Sequence, residues 1–287
     1  MSEPLQPGLY VIATPIGHPE DLSPRAAACL AAADVIAAED TRIARTLLKR
    51  LGVSKPLISY HDYNEEARVE ALMERLDAGE RVALISDQGT PLLSDPGYRL
   101  INAVIGADVP VIAVPGPSAL LAALVVSGLP CERFLSLGFP PRRGGRRRAL
   151  FEALQVRPET LVFFEAKTRI IACLEDAAAA LGERSIAVAR NLTKPRERIQ
   201  RGALSQVLEQ LRDEDPLRGE FTVVIAGSDE QTPTQNESRS AELIGALTDA
   251  GLSKRAIRDV LVRVEGLASR EAYARIHRVL EDEPSDS

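Results

Sequence analysis

Residues 81–97 read RVALISDQGTPLLSDPG. The first six, RVALIS (81–86), form an apolar, β-branched run without alternation, the pattern of a strand buried on both faces of a sheet. The continuation, SDQGTPLLSDPG (86–97), crowds a carboxylate, a glycine turn, Thr90 and a second Asp-Pro-Gly turn into twelve residues. In open α/β sheets ligands bind beyond the carboxyl ends of strands, so such a loop, placed directly after a buried strand, predicts a binding site. The same glycines and prolines also serve simply to turn the chain, and for one loop alone both readings stand.

On either side the pattern repeats. LYVIA (9–13), DVIAA (34–38), VPVIAV (109–114), RFLSLG (133–138), TLVFFE (160–165), SIAVAR (185–190) and FTVVIAG (221–227) read as further buried strands. Helical patterns lie between them with ordinary start signals, such as Ser23 as N-cap before Pro24, and Asn64 before EEARVEALMERL. The chain is therefore α/β. Three more strand-following loops are unusual: TPIGHPEDLS (14–23), AAEDTR (37–42) and PGPSA (115–119).

The turn at Pro115–Pro117 is a natural seam, which predicts one α/β domain over residues 1–118 and a second over 119–228. Residues 229–239 are polar and read as a linker. Residues 240–287 carry only helical signals, with Ser253 and Ser269 as N-caps and Gly251 and Gly266 at the junctions. That tail reads either as a helix-turn-helix-like segment that meets nucleic acid or as a plain helical cap.

Composition sets the outer limits. The chain has 287 residues and 31.0 kDa, 45% hydrophobic and 26% charged, which excludes disordered, collagenous and coiled-coil classes. A formal net charge of −6 argues against a protein that coats nucleic acid non-specifically, so any polyanion must be met locally. Cys29, Cys131 and Cys173 are odd in number and far apart, offering neither a disulfide framework nor a metal knuckle. His18, His61 and His277 are too scattered for a His-rich metal site, so no metal is expected. The amino-terminal residues lack a basic segment followed by an apolar one, which predicts a cytoplasmic chain without a secretory signal. Val109–Cys131 is uncharged over 23 residues, but Pro115, Gly116, Pro117 and Gly128 break it, and no membrane span is expected. Neither GxGxxG nor GxxxxGK[ST] occurs, which removes the dinucleotide fingerprint and the P-loop.

Taken together, LYVIATPIGHPEDLS, IAAEDTR, HDYNE (61–65), SDQGTPLLSDPG, PGPSA, GFPP (138–141) and GEFTVVIAG (219–227) occur in one order. In that order the chain resembles the ribosomal RNA small subunit methyltransferase I family of tetrapyrrole methylase-like, class III, S-adenosylmethionine-dependent methyltransferases. The resemblance covers nearly the whole chain. It implies two α/β domains with S-adenosylmethionine in a cleft between them, a homodimer, and methyl transfer to the ribose 2′-oxygen of a cytidine in the decoding region of small-subunit (16S) ribosomal RNA. The assembled small subunit is the implied partner. Carried over residue by residue, cofactor contacts fall on Pro15, Ile16, Asp87, Gly89, Thr90, Ser118, Ala119, Phe164, Glu165, Asn191 and Leu192. Two segments depart from the family pattern. Where relatives tend to read FYESTHR, this chain has Phe164, Ala166, Lys167 and Thr168 in place of Tyr, Ser, Thr and His; where they read RELTK, it has Asn191 in place of Glu.

A ribose hydroxyl is a very weak acid, so its transfer calls for a base or a polarising cation. The candidates are Glu39, Asp40, Asp87, Asp95, His61 and Lys194. Glu39 and Asp40 come first, since both sit in the most family-specific loop; the other reading makes them an N-cap pair before RIARTLLKR. Asp87 suits a hydroxyl or amino group of the cofactor. Lys194 acts either as a base with a depressed pKa or as a charged grip on phosphate. Five arginines in PPRRGGRRR (140–148), namely Arg142, Arg143, Arg146, Arg147 and Arg148, make a concentrated positive loop matched to RNA, with Arg42 as a further contact. Lys254, Arg255, Arg258, Arg263, Arg270, Arg275 and Arg278 add a basic face in the tail. Two other functions share the fold: a ribosome- or RNA-binding factor without catalysis, and a methyltransferase acting on a tetrapyrrole or other small molecule.

Overall fold

The run at 81–86 forms β4 (Arg81–Ile85), whose Val82, Ala83, Leu84 and Ile85 are all buried. It lies between β1 (Gly8–Ile12) and β2 (Val35–Ala38); β5 (Val111–Val114) and β3 (Leu57–Ser59) complete a parallel sheet of order β3-β2-β4-β1-β5. Helices cover both faces, as a parallel sheet requires. On one face α1 (Pro24–Ala32) and α2 (Thr41–Arg50) bring Cys29, Leu30, Ala44 and Leu48 onto Ile12, Ile36 and Ile85. On the other, α3 (Glu65–Asp77) and α4 (Tyr98–Gly106) bring Leu72, Leu76, Leu100 and Val104 onto Leu9, Val35 and Leu84. β1 and β4 are neighbours, yet their connections leave for opposite sides of the sheet, which opens a crevice at their carboxyl ends.

The second sheet is mixed. It contains β6 (Phe134–Ser136), β7 (Thr160–Ala166), β8 (Ser185–Arg190), β9 (Arg198–Ala203) and β10 (Glu220–Ile225) in the order β6-β7-β10-β8-β9. β10 runs antiparallel between β7 and β8, pairing Phe221 with both Glu165 and Arg190. The carboxyl ends of β7 and β8 therefore meet the amino end of β10. One face is packed by α5 (Ala119–Ser127), through Leu120, Ala123 and Leu124, together with Ile16 from the loop after β1. The other is packed by α6 (Gly144–Glu152), α7 (Ile170–Leu181) and α8 (Leu204–Arg212), with Phe151 and Phe163 in contact at 5.8 Å between ring centres.

The structure is a computed structural model that describes residues 5–214, 216–228, 235–265, 267 and 269–281, with backbone only at 235–239 and 281. It divides into two units, Met1–Ser228 and Asp229–Ser287. The second contains α9 (Gln235–Asp249), α10 (Lys254–Glu265) and α11 (Ser269–Glu281) around Ile244, Ile257, Leu261, Ala272 and Ile276. α9 begins at Gln235, inside the segment expected to be a linker at 229–239, whose first six residues lie outside the described set, as does Gly266. Ser253 caps α10 by accepting from Ala256 N, whereas Ser269 is already the first helical residue of α11.

Several expectations need correction. β3 and β9 were not anticipated, because LIS is three residues long and RIQRGA holds one large apolar residue among two arginines, a glutamine and a glycine; both are edge strands, where short and charged sequences belong. Asn64 stands at the N-cap position of α3, but its side chain turns back to accept from His61 N and donate to Ser59 O. The arginine run is not a loop throughout. α6 starts at Gly144, and Arg147 is buried, donating from Nε to Asp176 at 2.8 Å and from Nη2 to the Ala172 carbonyl at 3.2 Å. Arg147 is thus withdrawn from any RNA surface, and Arg148 shares Asp176 at 3.2 Å; Arg142, Arg143 and Arg146 are exposed. In the tail, Arg275 packs inward against Ser240 and Glu265, and Arg258 stacks over Tyr273, so neither belongs to a free basic face.

Breaking a buried ion pair leaves a charge without compensation. Arg147→Ala is expected to lower the unfolding free energy by about 3 kcal/mol, and Arg146→Ala by less than about 0.5 kcal/mol. Urea denaturation of the two variants checks the contrast.

Candidate active site

The loops after β1 and β4 are tied at the crevice by a two-way backbone bridge. Thr14 N donates to Gly89 O at 2.8 Å, and Gly89 N to Thr14 O at 3.0 Å. Thr90 Oγ1 then donates to Pro117 O at 3.0 Å, bringing in the loop after β5. The far end of the β4 loop is anchored by HDYNE. Gly97 opens α4 with φ 138°, a conformation L side chains rarely adopt, and its added Cβ would lie 3.0 Å from Leu84. Without a side chain Gly97 cannot cap, and Glu65 caps in its place, accepting from Gly97 N at 3.2 Å and Arg99 N at 3.3 Å. The Glu65 carboxylate also accepts from Tyr60 Oη at 2.7 Å. HDYNE is therefore a clamp on the binding loop.

The two sheets meet across a second contact. Gly17 sits so close to the loop after β8 that an added Cβ would lie 2.5 Å from Lys194 Cγ and 2.9 Å from Leu192 O. His18 N donates to Thr193 Oγ1 at 3.0 Å. Thr193 has φ 59°, an outlier for a β-branched residue, and Asn191 and Arg196 share the left-handed region. Lys194 Nζ reaches over the crevice to Gln88 Oε1 at 2.8 Å and Glu220 Oε2 at 2.6 Å. With its donors committed to both sides, Lys194 is a clasp.

Between these contacts lies a cavity of about 650 Å³. Its wall is apolar at Ile16, Leu93, Phe139, Phe164 and Leu192, and Phe139 packs on Phe164 at 5.6 Å. Its polar wall holds Glu39, Asp87 and Asp95; Glu165 borders it with its side chain fully buried. Of the sequence-derived cofactor residues, Ile16, Asp87, Gly89, Thr90, Ser118, Ala119, Phe164, Glu165 and Leu192 line this cavity. Pro15 lines a smaller one of about 240 Å³ beside it, and Asn191 lies behind Gly219, accepting from Glu220 N at 3.3 Å. Gln88, Leu93, Ser94, Phe139, Lys167 and Gly219–Thr222 were not anticipated as lining residues, although GFPP and GEFTVVIAG pointed to the last ones.

The first-choice carboxylates separate. Asp40 is the N-cap of α2, accepting from Arg42 N at 2.8 Å and gripped by the Arg42 guanidinium, which holds its carboxyl down to about 2. It does not line the cavity, so the capping alternative holds for Asp40. Glu39 faces the cavity, and burial, then the Asp87 charge, push its carboxyl above the ordinary range. Asp87 is raised by burial, while Asp40 N donates to its Oδ1 at 2.9 Å. Burial, with Glu39 and Asp87 nearby, pushes Asp95 up to about 6. Glu165 is fully buried, ion-paired to Arg169 at 2.5 Å, and keeps Oε2 without a protein partner. His61 does not line the cavity; its Nδ1 is buried and unpartnered. Among the described residues no group of three or more His, Cys, Asp or Glu is arranged to hold a metal ion.

Comparison with known proteins accounts for this arrangement. The family model for tetrapyrrole (corrin/porphyrin) methylases matches residues 8–208. The chain is 45% identical over 273 residues to ribosomal RNA small subunit methyltransferase I of Micromonospora olivasterospora, covering 95% of this chain and 87% of that one. The chain belongs to that family. The protein of the same name from Mycobacterium tuberculosis (strain ATCC 25618 / H37Rv) is 43% identical, with 92% and 93% covered. Among solved structures, uroporphyrin-III C-methyltransferase from Thermus thermophilus complexed with S-adenosyl homocysteine superposes with a TM-score of 0.53 at 20% identity, covering 76% of this chain and 96% of that one. At that identity the likeness establishes the fold alone. It assigns both sheets to the tetrapyrrole methylase architecture.

The raised Asp95 carboxyl has a measurable consequence. Its neutral form is favoured in the folded state, so ionisation costs stability as pH rises from about 4, the unfolded value, through about 6. Asp95→Asn, which cannot ionise, is expected to melt above wild type at pH 8, with the difference shrinking through pH 6 and gone below pH 4. Calorimetric melting across that range checks it.

Proposed function

We propose that the chain transfers a methyl group from S-adenosylmethionine to the ribose 2′-oxygen of a cytidine in the decoding region of small-subunit ribosomal RNA, acting on the assembled subunit as a homodimer. The observation that carries this reading is the cavity at the carboxyl ends of β1, β2 and β4, apolar on one wall and anionic on the other. Both halves of the cofactor find a match: an adenine suits Ile16, Phe139, Phe164 and Leu192, and cationic groups suit Asp87 and Asp95. When bound, S-adenosylmethionine supplies a methyl carbon activated by its sulfonium leaving group.

The protein's own part is positioning and proton handling. Asp87, pinned by Asp40 N, and Gly89–Thr90, pinned by the bridge to Thr14, hold the cofactor side of the site rigid. Glu39 takes the proton of the 2′-hydroxyl as the oxygen–methyl bond forms; its raised carboxyl, at the end of β2, suits a general base. Lys194 keeps the loops after β4 and β8 at a set distance through Gln88 and Glu220. Exposed Arg42, Arg142, Arg143, Arg146 and Arg148 meet RNA phosphate, and the exposed Leu121 and Val125 on α5 serve the dimer. Among the described residues no helix is long and apolar enough to cross a membrane, and the proposed ribosomal substrate fits a cytoplasmic protein.

Labelled S-adenosylmethionine, incubated with small subunits from cells lacking the protein, is expected to leave label on one cytidine ribose, located by nuclease mapping. No incorporation together with no cofactor binding by calorimetry leaves the non-catalytic reading; incorporation into a tetrapyrrole instead supports the small-molecule one. In the same assay Asp87→Ala is expected to lose cofactor affinity, and Glu39→Gln to lower kcat about 100-fold with cofactor affinity kept. Lys194→Arg, which preserves a clasp but not a base, is expected to hold kcat within about threefold, whereas a lysine base predicts a loss of about 100-fold or more.

A further inference from the structure

Immediately after the Glu39–Asp40 end of β2, α2 presents a stripe of cations. Arg42, Arg45 and Lys49 are spaced three and four apart and so share one face, turned away from the buried Ala44 and flanked by the buried Leu48. All three are exposed. The helix is ten residues long, which gives a ridge of roughly 15 Å. At its carboxyl end the ridge enters a concavity of about 500 Å³ lined by Arg45, Lys49 and Lys55 around Leu48, Val53 and Leu57.

The lining contains no carboxylate. Among the described residues none of these three cations is ion-paired, and Asp34, which feels the charge of Lys55, has both oxygens bound by Arg81. In a chain of net charge −6, unpaired cations gathered into a concave surface are a local exception. The carboxylates near the crevice lie at the other end of the same helix. A polyanion steered by this field is drawn to α2 and held off the anionic cavity except where one nucleotide is presented to it.

We infer that the outer face of α2 and the hollow formed by Arg45, Lys49 and Lys55 bind the ribose-phosphate backbone of the substrate RNA, in register with the nucleotide offered to Glu39. The occupant is RNA, since the ridge is long enough for more than one phosphate and its unpaired cations continue from Arg45 into the hollow. This assignment rests on the proposed RNA activity, and adds a surface distinct from the arginines of α6.

The test is the triple variant Arg45→Ala, Lys49→Ala, Lys55→Ala, with binding to small subunits measured across a salt series. Expected are a loss of RNA affinity of about tenfold at moderate salt and a salt slope shallower by about 2, the release from three phosphate contacts. Cofactor affinity and kcat at saturating subunits are expected to stay at wild-type values, and the charge-preserving triple Arg45→Lys, Lys49→Arg, Lys55→Arg is expected to restore binding. Unchanged affinity and slope overturn the inference. So does binding of inorganic phosphate, measured by calorimetry, that the alanine triple abolishes without affecting RNA. If the triple variant melts early, Lys49→Glu at its exposed position carries the same test with a slope change of about 1 or more. Methyl incorporation is read in parallel. Wild-type incorporation with unmoved RNA affinity removes this inference alone, while RNA binding lost in the triple variant, with no wild-type incorporation, removes the transfer reading alone.

Discussion

Gly17 allows the loop after β1 to lie against the backbone of residues 192–194, with room for no Cβ between them. Much else depends on that approach. It brings His18 N to Thr193 Oγ1, holds Thr193 in a backbone conformation a β-branched residue otherwise avoids, and sets Lys194 where it spans to Gln88 and Glu220. Ile16, one residue earlier, packs into the core beneath the second sheet. The strained loop is thus tied at several points, and the strain is borne by a contact that closes the cavity from one side.

Charge is divided along the molecule rather than balanced within each part. Glu39, Asp87 and Asp95 gather at the crevice, where burial raises all three carboxyls and neighbouring carboxylates add to the rise, which favours a cationic guest over an anionic one. Asp40, the next residue after Glu39, is held ionised by Arg42 and belongs to the helix. From Arg42 onward α2 is positive. A change of sign within four residues of sequence is a sharp boundary, and it separates a surface suited to phosphate from a cavity suited to a sulfonium.

Much of the first sheet was legible because its central strands are buried on both faces and leave continuous apolar runs. The edge strands β3 and β9 were not, since a strand exposed on one side carries the polar residues of a loop. The loops after β1, β4 and β5 were recognisable as a site from their turn residues, and the cavity gathers most of the residues named from them. Motif order could not distinguish the roles of neighbours. Glu39 and Asp40 look equivalent in AAEDTR until Asp40 caps α2 and Glu39 faces the cavity, and Arg147 looks like its four companions until the phase of α6 turns it inward.

By itself the sequence determined the alternation of buried strands and helices, the loops that line the cavity, and the family, because those follow from local pattern and motif order. Only the tertiary structure decided that Glu65 caps α4 across 32 residues, that Lys194 is a clasp, that Arg147 is core and that Arg45, Lys49 and Lys55 share a hollow. The physical reason is that each of these depends on which groups meet across the fold. A charge has a role only when its partner, or the lack of one, is known.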